Sequence, residues 1–92
     1  MSRSRTTSRL ATPAGRGQLE QAITVTPIAD GWTVKCAARE REAWFRSGAA
    51  AEAAAHRLGS EIAEIGDTAV IEIFLRNGAL GGRYVHAPGA GI

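Results

Sequence analysis

Ile23-Thr24-Val25-Thr26-Pro27-Ile28-Ala29-Asp30-Gly31-Trp32-Thr33-Val34-Lys35-Cys36 sets the architecture of the chain. Ile23, Val25 and Pro27 alternate with Thr24 and Thr26, the period of a strand with one buried face. Asp30-Gly31 interrupts the run. Such a dipeptide supplies the two positive φ angles of a type I′ turn, whose twist suits a two-residue hairpin. Beyond it, Trp32, Val34 and Cys36 share one face, and Thr33 and Lys35 the other. The stretch therefore reads as a β-hairpin.

Downstream, a looser turn near Ala37–Glu40 leads into a third strand, roughly Arg41–Arg46. There Ala43 and Phe45 alternate with Glu42, Trp44 and Arg46. The pattern then changes period. Ser47 is placed to cap a helix, because its hydroxyl can accept a backbone N–H of the first turn. Ala51, Ala54, Ala55, Leu58, Ile62 and Ile65 form one apolar stripe at helical spacing. Gly59 weakens that helix, and Gly66 ends it. Asp67–Arg76 returns to strand period, with Ile71, Ile73 and Leu75 facing one way and Val70, Glu72 and Phe74 the other. Asn77-Gly78 is a second hairpin signal. Leu80–His86 is a last strand, with Gly81-Gly82 able to distort it. The order is β-β-β-α-β-β. The expected fold class is α+β: an antiparallel sheet with one amphipathic helix packed on one face.

The 92 residues suffice for one domain. Residues 1–20 read as a disordered Arg-rich arm, 21–86 as the α+β domain, and 87–92 as a flexible tail. The net charge is +2, unevenly spread. The arm carries Arg3, Arg5, Arg9 and Arg16 against Glu20 alone, whereas the rest of the chain holds seven basic and eight acidic residues. Cys36 is the single cysteine, which removes an intrachain disulfide and a Cys-based metal site. No apolar run approaches the ~20 residues of a membrane-spanning helix. The first residues also lack the apolar core of a secretory signal. A reducing cytoplasm is the expected location.

Several of these pieces recur together elsewhere. Asp30-Gly31-Trp32-Thr33-Val34, Phe45-Arg46-Ser47, the Ala51–Leu58 segment, Asn77-Gly78-Ala79-Leu80 and Tyr84 stand in that order. In this the chain resembles the small bacterial family catalogued as domain of unknown function 2188, over roughly residues 22–85. It departs from that pattern at Gly48 and Ala50, where the family often has Lys and Glu, and at Phe74, where many members have His. The motifs concern turns and core, so the resemblance implies a fold and not a reaction.

Function has to be read from the sheet's two faces. Trp32, Phe45 and Cys36 are expected beneath the helix. His56 and His86 are expected as separate surface histidines, and Glu61, Glu64 and Asp67 as a solvated group. The late glycines fit no phosphate-binding loop. No catalytic residues, metal ligands, cofactor or small-molecule ligand are expected. The second face is predicted to expose Thr24, Thr26, Thr33, Lys35, Trp44, Arg46, Phe74, Tyr84 and His86. Aromatics interleaved with bases on an open sheet can stack nucleobases and neutralise phosphates. Arg3, Arg5, Arg9 and Arg16 would add salt-dependent phosphate contacts. The same aromatics could equally be covered by a second copy, because large exposed apolar patches find partners. Glu42 and Glu72 on that face weigh against a strong nucleic-acid groove. The expectation is thus a non-enzymatic binding module that contacts nucleic acid through Lys35, Trp44, Arg46, Phe74, Tyr84 and the arm. The alternative is a homodimer formed through the sheet.

Overall fold

The computed structural model describes residues 19–89. The expected arm residues Arg3, Arg5, Arg9 and Arg16 lie outside that range, as do 90–92. Five strands are present: β1 (Glu20–Ile28), β2 (Gly31–Cys36), β3 (Arg41–Phe45), β4 (Thr68–Phe74) and β5 (Leu80–His86). One helix, α1 (Gly48–Glu64), separates β3 from β4, and a 3-10 turn at Ala37–Arg39 joins β2 to β3. The order read from the sequence stands, and so does the α+β class with a helix on one face.

The strand partners correct one expectation. The sheet order is β3-β2-β1-β4-β5, with β1 and β4 parallel and the other three pairs antiparallel. The sheet is mixed, not antiparallel. The reason is a matter of counting reversals. Two hairpins make β1 and β3 run the same way and enclose β2 on both sides. The helix reverses the chain once more, so β4 runs in their direction again. It can join the sheet only beside β3 or β1, and either neighbour is parallel. Parallel neighbours need a long crossover, which the 17-residue helix supplies.

Local chemistry accounts for the helix ends. Ser47 Oγ accepts the Ala50 N–H at 3.1 Å, the N-cap that the sequence predicts. At the other end Gly66 adopts φ 98°. There the Gly66 N–H reaches the Ala63 carbonyl at 3.0 Å, and the Asp67 N–H reaches that of Ile62 at 3.1 Å. This Schellman pair satisfies carbonyls that would otherwise be left open at the helix end.

The first hairpin differs from its expected form. Ile28 pairs with Gly31, so Ala29 and Asp30 make the two-residue loop. Among the described non-glycine residues only Glu40 has positive φ, so the turn is not type I′. Gly31 opens β2 instead, where a Cβ would lie 2.5 Å from the Phe45 carbonyl oxygen and 2.8 Å from Trp44 Nε1. The glycine serves close packing rather than turn geometry.

The core forms where α1 crosses the sheet. Ile23 and Val25 of β1, Val34 and Cys36 of β2, and Ala69 and Ile71 of β4 meet Ala51, Ala55, Leu58 and Ile62 of α1. Trp32, Phe45 and Ile73 pack against this cluster, half-buried. Trp32 and Phe45 are therefore on the helix side, as their strand parity predicts. Small alanines on the helix let it sit close to the sheet. Ile65, read as the end of the stripe, is exposed instead, because the helix has already turned off at its cap.

Candidate functional site

The strand alternation that buries Ile23 and Val25 turns Thr24 and Thr26 to the other face. Among the described residues no helix or further strand packs on that face, although Val70 on it is buried and Thr24 and Thr26 are half-buried. Register places five side chains in one row across it. Thr24 pairs with Lys35 and with Glu72. Lys35 in turn pairs with Glu42, and Glu72 with Arg83. From edge to edge the row reads Glu42, Lys35, Thr24, Glu72, Arg83, with charges minus, plus, zero, minus, plus. The Arg83 Nε lies 4.0 Å from Glu72 Oε2. Arg83 is exposed and Glu72 half-buried. An ion pair this open contributes little to stability, but the pattern of signs is a surface property that a partner can read.

The adjacent row carries the apolar part. Thr26 pairs with Thr33, and Thr33 with Trp44. Trp44 is 50 % exposed and lies over Gly31. The Arg46 guanidinium stands 5.8 Å from its ring centroid, in reach of a cation–π contact. Phe74 is half-buried and pairs with the exposed Leu80. On the far side of the charged row Val85 is 52 % exposed. Lys35, Trp44, Arg46 and Phe74 therefore share the open face, as expected.

Tyr84 and His86 do not. Tyr84 pairs with Ile71 and His86 with Ala69, both core residues beneath the helix. The cause is a β-bulge. Phe74 pairs with Leu80, yet Ile73 pairs with Gly82, which leaves Gly81 as an extra residue. A regular ladder continued from Phe74 and Leu80 would set Tyr84 opposite Val70, on the open face. One inserted residue moves every later side chain to the opposite face.

The flip assembles a cluster that the sequence reading missed. His86 comes against α1, close enough that a Cβ on Gly59 would meet its Cδ2 at 2.8 Å. His56 Nδ1 and His86 Nε2 are 2.8 Å apart. One ring must donate an N–H and the other must present a lone pair. Tyr84 meets the His56 ring edge-on, with centroids 5.0 Å apart. Glu52, one turn earlier on α1, places Oε2 4.0 Å from His56 Nε2. The i, i+4 spacing of Glu52 and His56 was visible in the sequence, but the arrival of His86 depends on the bulge.

The acidic group also divides. Glu61 and Glu64 are exposed, whereas Asp67 is buried and accepts the Gln21 Nε2–H at 2.9 Å. Gln21 Oε1 accepts the Arg39 Nε–H at 3.1 Å and lies 3.8 Å from Cys36 Sγ. That network ties the 3-10 turn to the end of α1. Cys36 is fully buried, as expected.

A groove of about 500 Å³ runs between β3 and α1. Val34, Ala43, Phe45 and Leu58 contribute apolar surface to it, and Arg41, Arg57 and Glu61 polar surface. No helix among the described residues is long and apolar enough to cross a membrane. No family model matches the chain, and no curated protein or solved structure is detectably similar to it.

Proposed function

We propose that the protein is a non-catalytic interaction module that pairs with a second copy of itself through the open face of its sheet. The observation that carries this reading is the sign pattern Glu42, Lys35, Thr24, Glu72, Arg83. The pattern is antisymmetric about β1. A two-fold axis parallel to the strands and passing over Thr24 sets Glu42 of one copy opposite Arg83 of the other. The same axis sets Lys35 opposite Glu72, and Thr24 opposite Thr24. An axis along the row would instead oppose like charges. Two-fold interfaces are self-complementary in this way. Twist in each sheet sets facing strands about 30° apart, an offset that side chains as long as Lys, Arg and Glu can span.

The apolar parts agree. Under that axis Trp44 of one copy lies toward the β5 side of the other, near Leu80. Five strands ~4.8 Å apart offer a face on the order of 500 Å² per copy, or about 1,000 Å² in all. That is the low end for a specific interface, so the dimer is concentration-dependent.

The nucleic-acid reading has less support. Tyr84 leaves the face, and the central row is neutral overall. Sedimentation of the full chain from about 10 µM to 1 mM is expected to show a monomer–dimer equilibrium. Lys35→Glu should abolish dimerisation, because it opposes Glu72. Lys35→Glu combined with Glu72→Lys should restore it. A monomer at all concentrations, or no rescue by the double variant, rejects the proposal. Saturable oligonucleotide binding at low salt by that monomer would favour the other reading.

A further inference from the structure

The geometry points to a second site, on the opposite side of the sheet: His56 Nδ1 and His86 Nε2 form a cis chelate for a tetragonal divalent cation, Cu²⁺ or Ni²⁺. Imidazole nitrogens bind such metals at about 2.0 Å. Two ligands at 90° around a square-planar or tetragonal centre then lie ~2.8 Å apart, whereas tetrahedral coordination separates them by ~3.3 Å. The observed separation is 2.8 Å. That separation is also the length of an N–H···N hydrogen bond, so it brings both donors together without by itself choosing the metal; an ion would take the place of the shared proton, each ring turning so that the two lone pairs converge.

Chemistry and access favour the same assignment. Two neutral imidazoles are donors suited to Cu²⁺ and Ni²⁺, and Cu²⁺ stands highest among divalent first-row ions. The donors are held by different elements, α1 and β5, so their separation is set by the packing of His86 over Gly59. When His56 binds through Nδ1, its Nε2 carries the proton and faces Glu52 at 4.0 Å. A carboxylate behind a ligating histidine raises its basicity and fixes its tautomer. Both rings are half-exposed, so a hydrated ion can reach them. Among the described residues no third His, Cys, Asp or Glu completes a three-ligand set. Water fills the remaining positions, which makes this a reversible site rather than a structural centre.

The test uses the full chain without a purification tag, titrated with CuCl₂, NiCl₂ and ZnCl₂ at neutral pH. One equivalent of Cu²⁺ is expected per chain, with Ni²⁺ weaker and Zn²⁺ weakest. The paramagnetic resonance spectrum of the Cu²⁺ form should show hyperfine splitting from two imidazole nitrogens. His86→Ala and His56→Gln should each weaken Cu²⁺ more than roughly tenfold, with folding checked by circular dichroism. Glu52→Gln should weaken it by up to about tenfold. The spectrum of the unaltered protein does not depend on whether any variant folds. A one-nitrogen signal, Zn²⁺ bound more tightly than Cu²⁺, or undiminished binding in folded His86→Ala would overturn the assignment.

Discussion

Gly59 shows how one missing side chain positions a site. It sits in the interior of α1, where glycine is less favourable than alanine by about 1 kcal/mol. The sequence shows that weakness but not its reason. The reason is His86, whose ring occupies the space of a Cβ at 2.8 Å, with Ile71 Cδ1 at 3.3 Å behind it. Gly59→Ala should therefore fail to stabilise the protein, despite the gain in helix propensity. Overpacking of this kind costs roughly 1–3 kcal/mol, and it should push His86 away from His56. In a His86→Ala background the ring is gone, and the same change should cost far less or turn favourable. Urea unfolding of the four proteins measures the coupling. Equal effects of Gly59→Ala in both backgrounds would show that His86 is not the obstacle.

Among the elements, β5 separates what the sequence made legible from what it did not. Alternation in Ile23–Cys36, the Ser47 cap and the Gly66 stop are local signals, and the strands and helix follow from them. The parallel entry of β4 into the sheet was also within reach, since the number of chain reversals determines it, though not the choice of β1 over β3 as its neighbour. The face of Tyr84 and His86 was not. It depends on whether Gly81 enters the ladder or bulges from it, and the sequence shows only a pair of glycines. The choice is made by tertiary contact. Gly82 faces Ile73, Tyr84 faces Ile71 and His86 faces Ala69, which brings two rings under the edge of α1. Removing Gly81 tests this directly. A regular ladder from Phe74 and Leu80 would carry Tyr84 and His86 to the open face. The expected result is loss of the His56–His86 contact, read from cross-peaks between the two rings in magnetic resonance, together with lower stability. Persistence of those cross-peaks would mean that β5 slips to keep its rings under the helix, and that packing outranks the hairpin in setting register.

For the molecule as a whole, the sheet has one face closed by α1 and the other without a helix or strand packed on it, and Thr24 is the residue at which the proposed dimer can be tested. It lies at the centre of the charged row, on the middle strand of five. On the proposed axis it meets its own copy. It is half-buried and lies on the face away from α1, outside the core cluster, so a charged side chain there leaves the core intact. Thr24→Glu would bring two carboxylates together at the axis, and Thr24→Lys two ammonium groups. Like charges opposed in an interface disfavour it by up to several kcal/mol, enough to reduce a weak dimer to monomer. Each variant alone should sediment as a monomer over the range where the unaltered chain dimerises. A mixture of the two should form a heterodimer, because Glu then faces Lys across the axis. That outcome is specific to a two-fold passing over β1. A partner other than a second copy gives no pairing in the mixture. An edge-to-edge dimer through β3 or β5 leaves all three samples equally dimeric, since Thr24 would then lie far from the interface. High salt should weaken the mixed dimer more than the unaltered one, as its central contact is an ion pair.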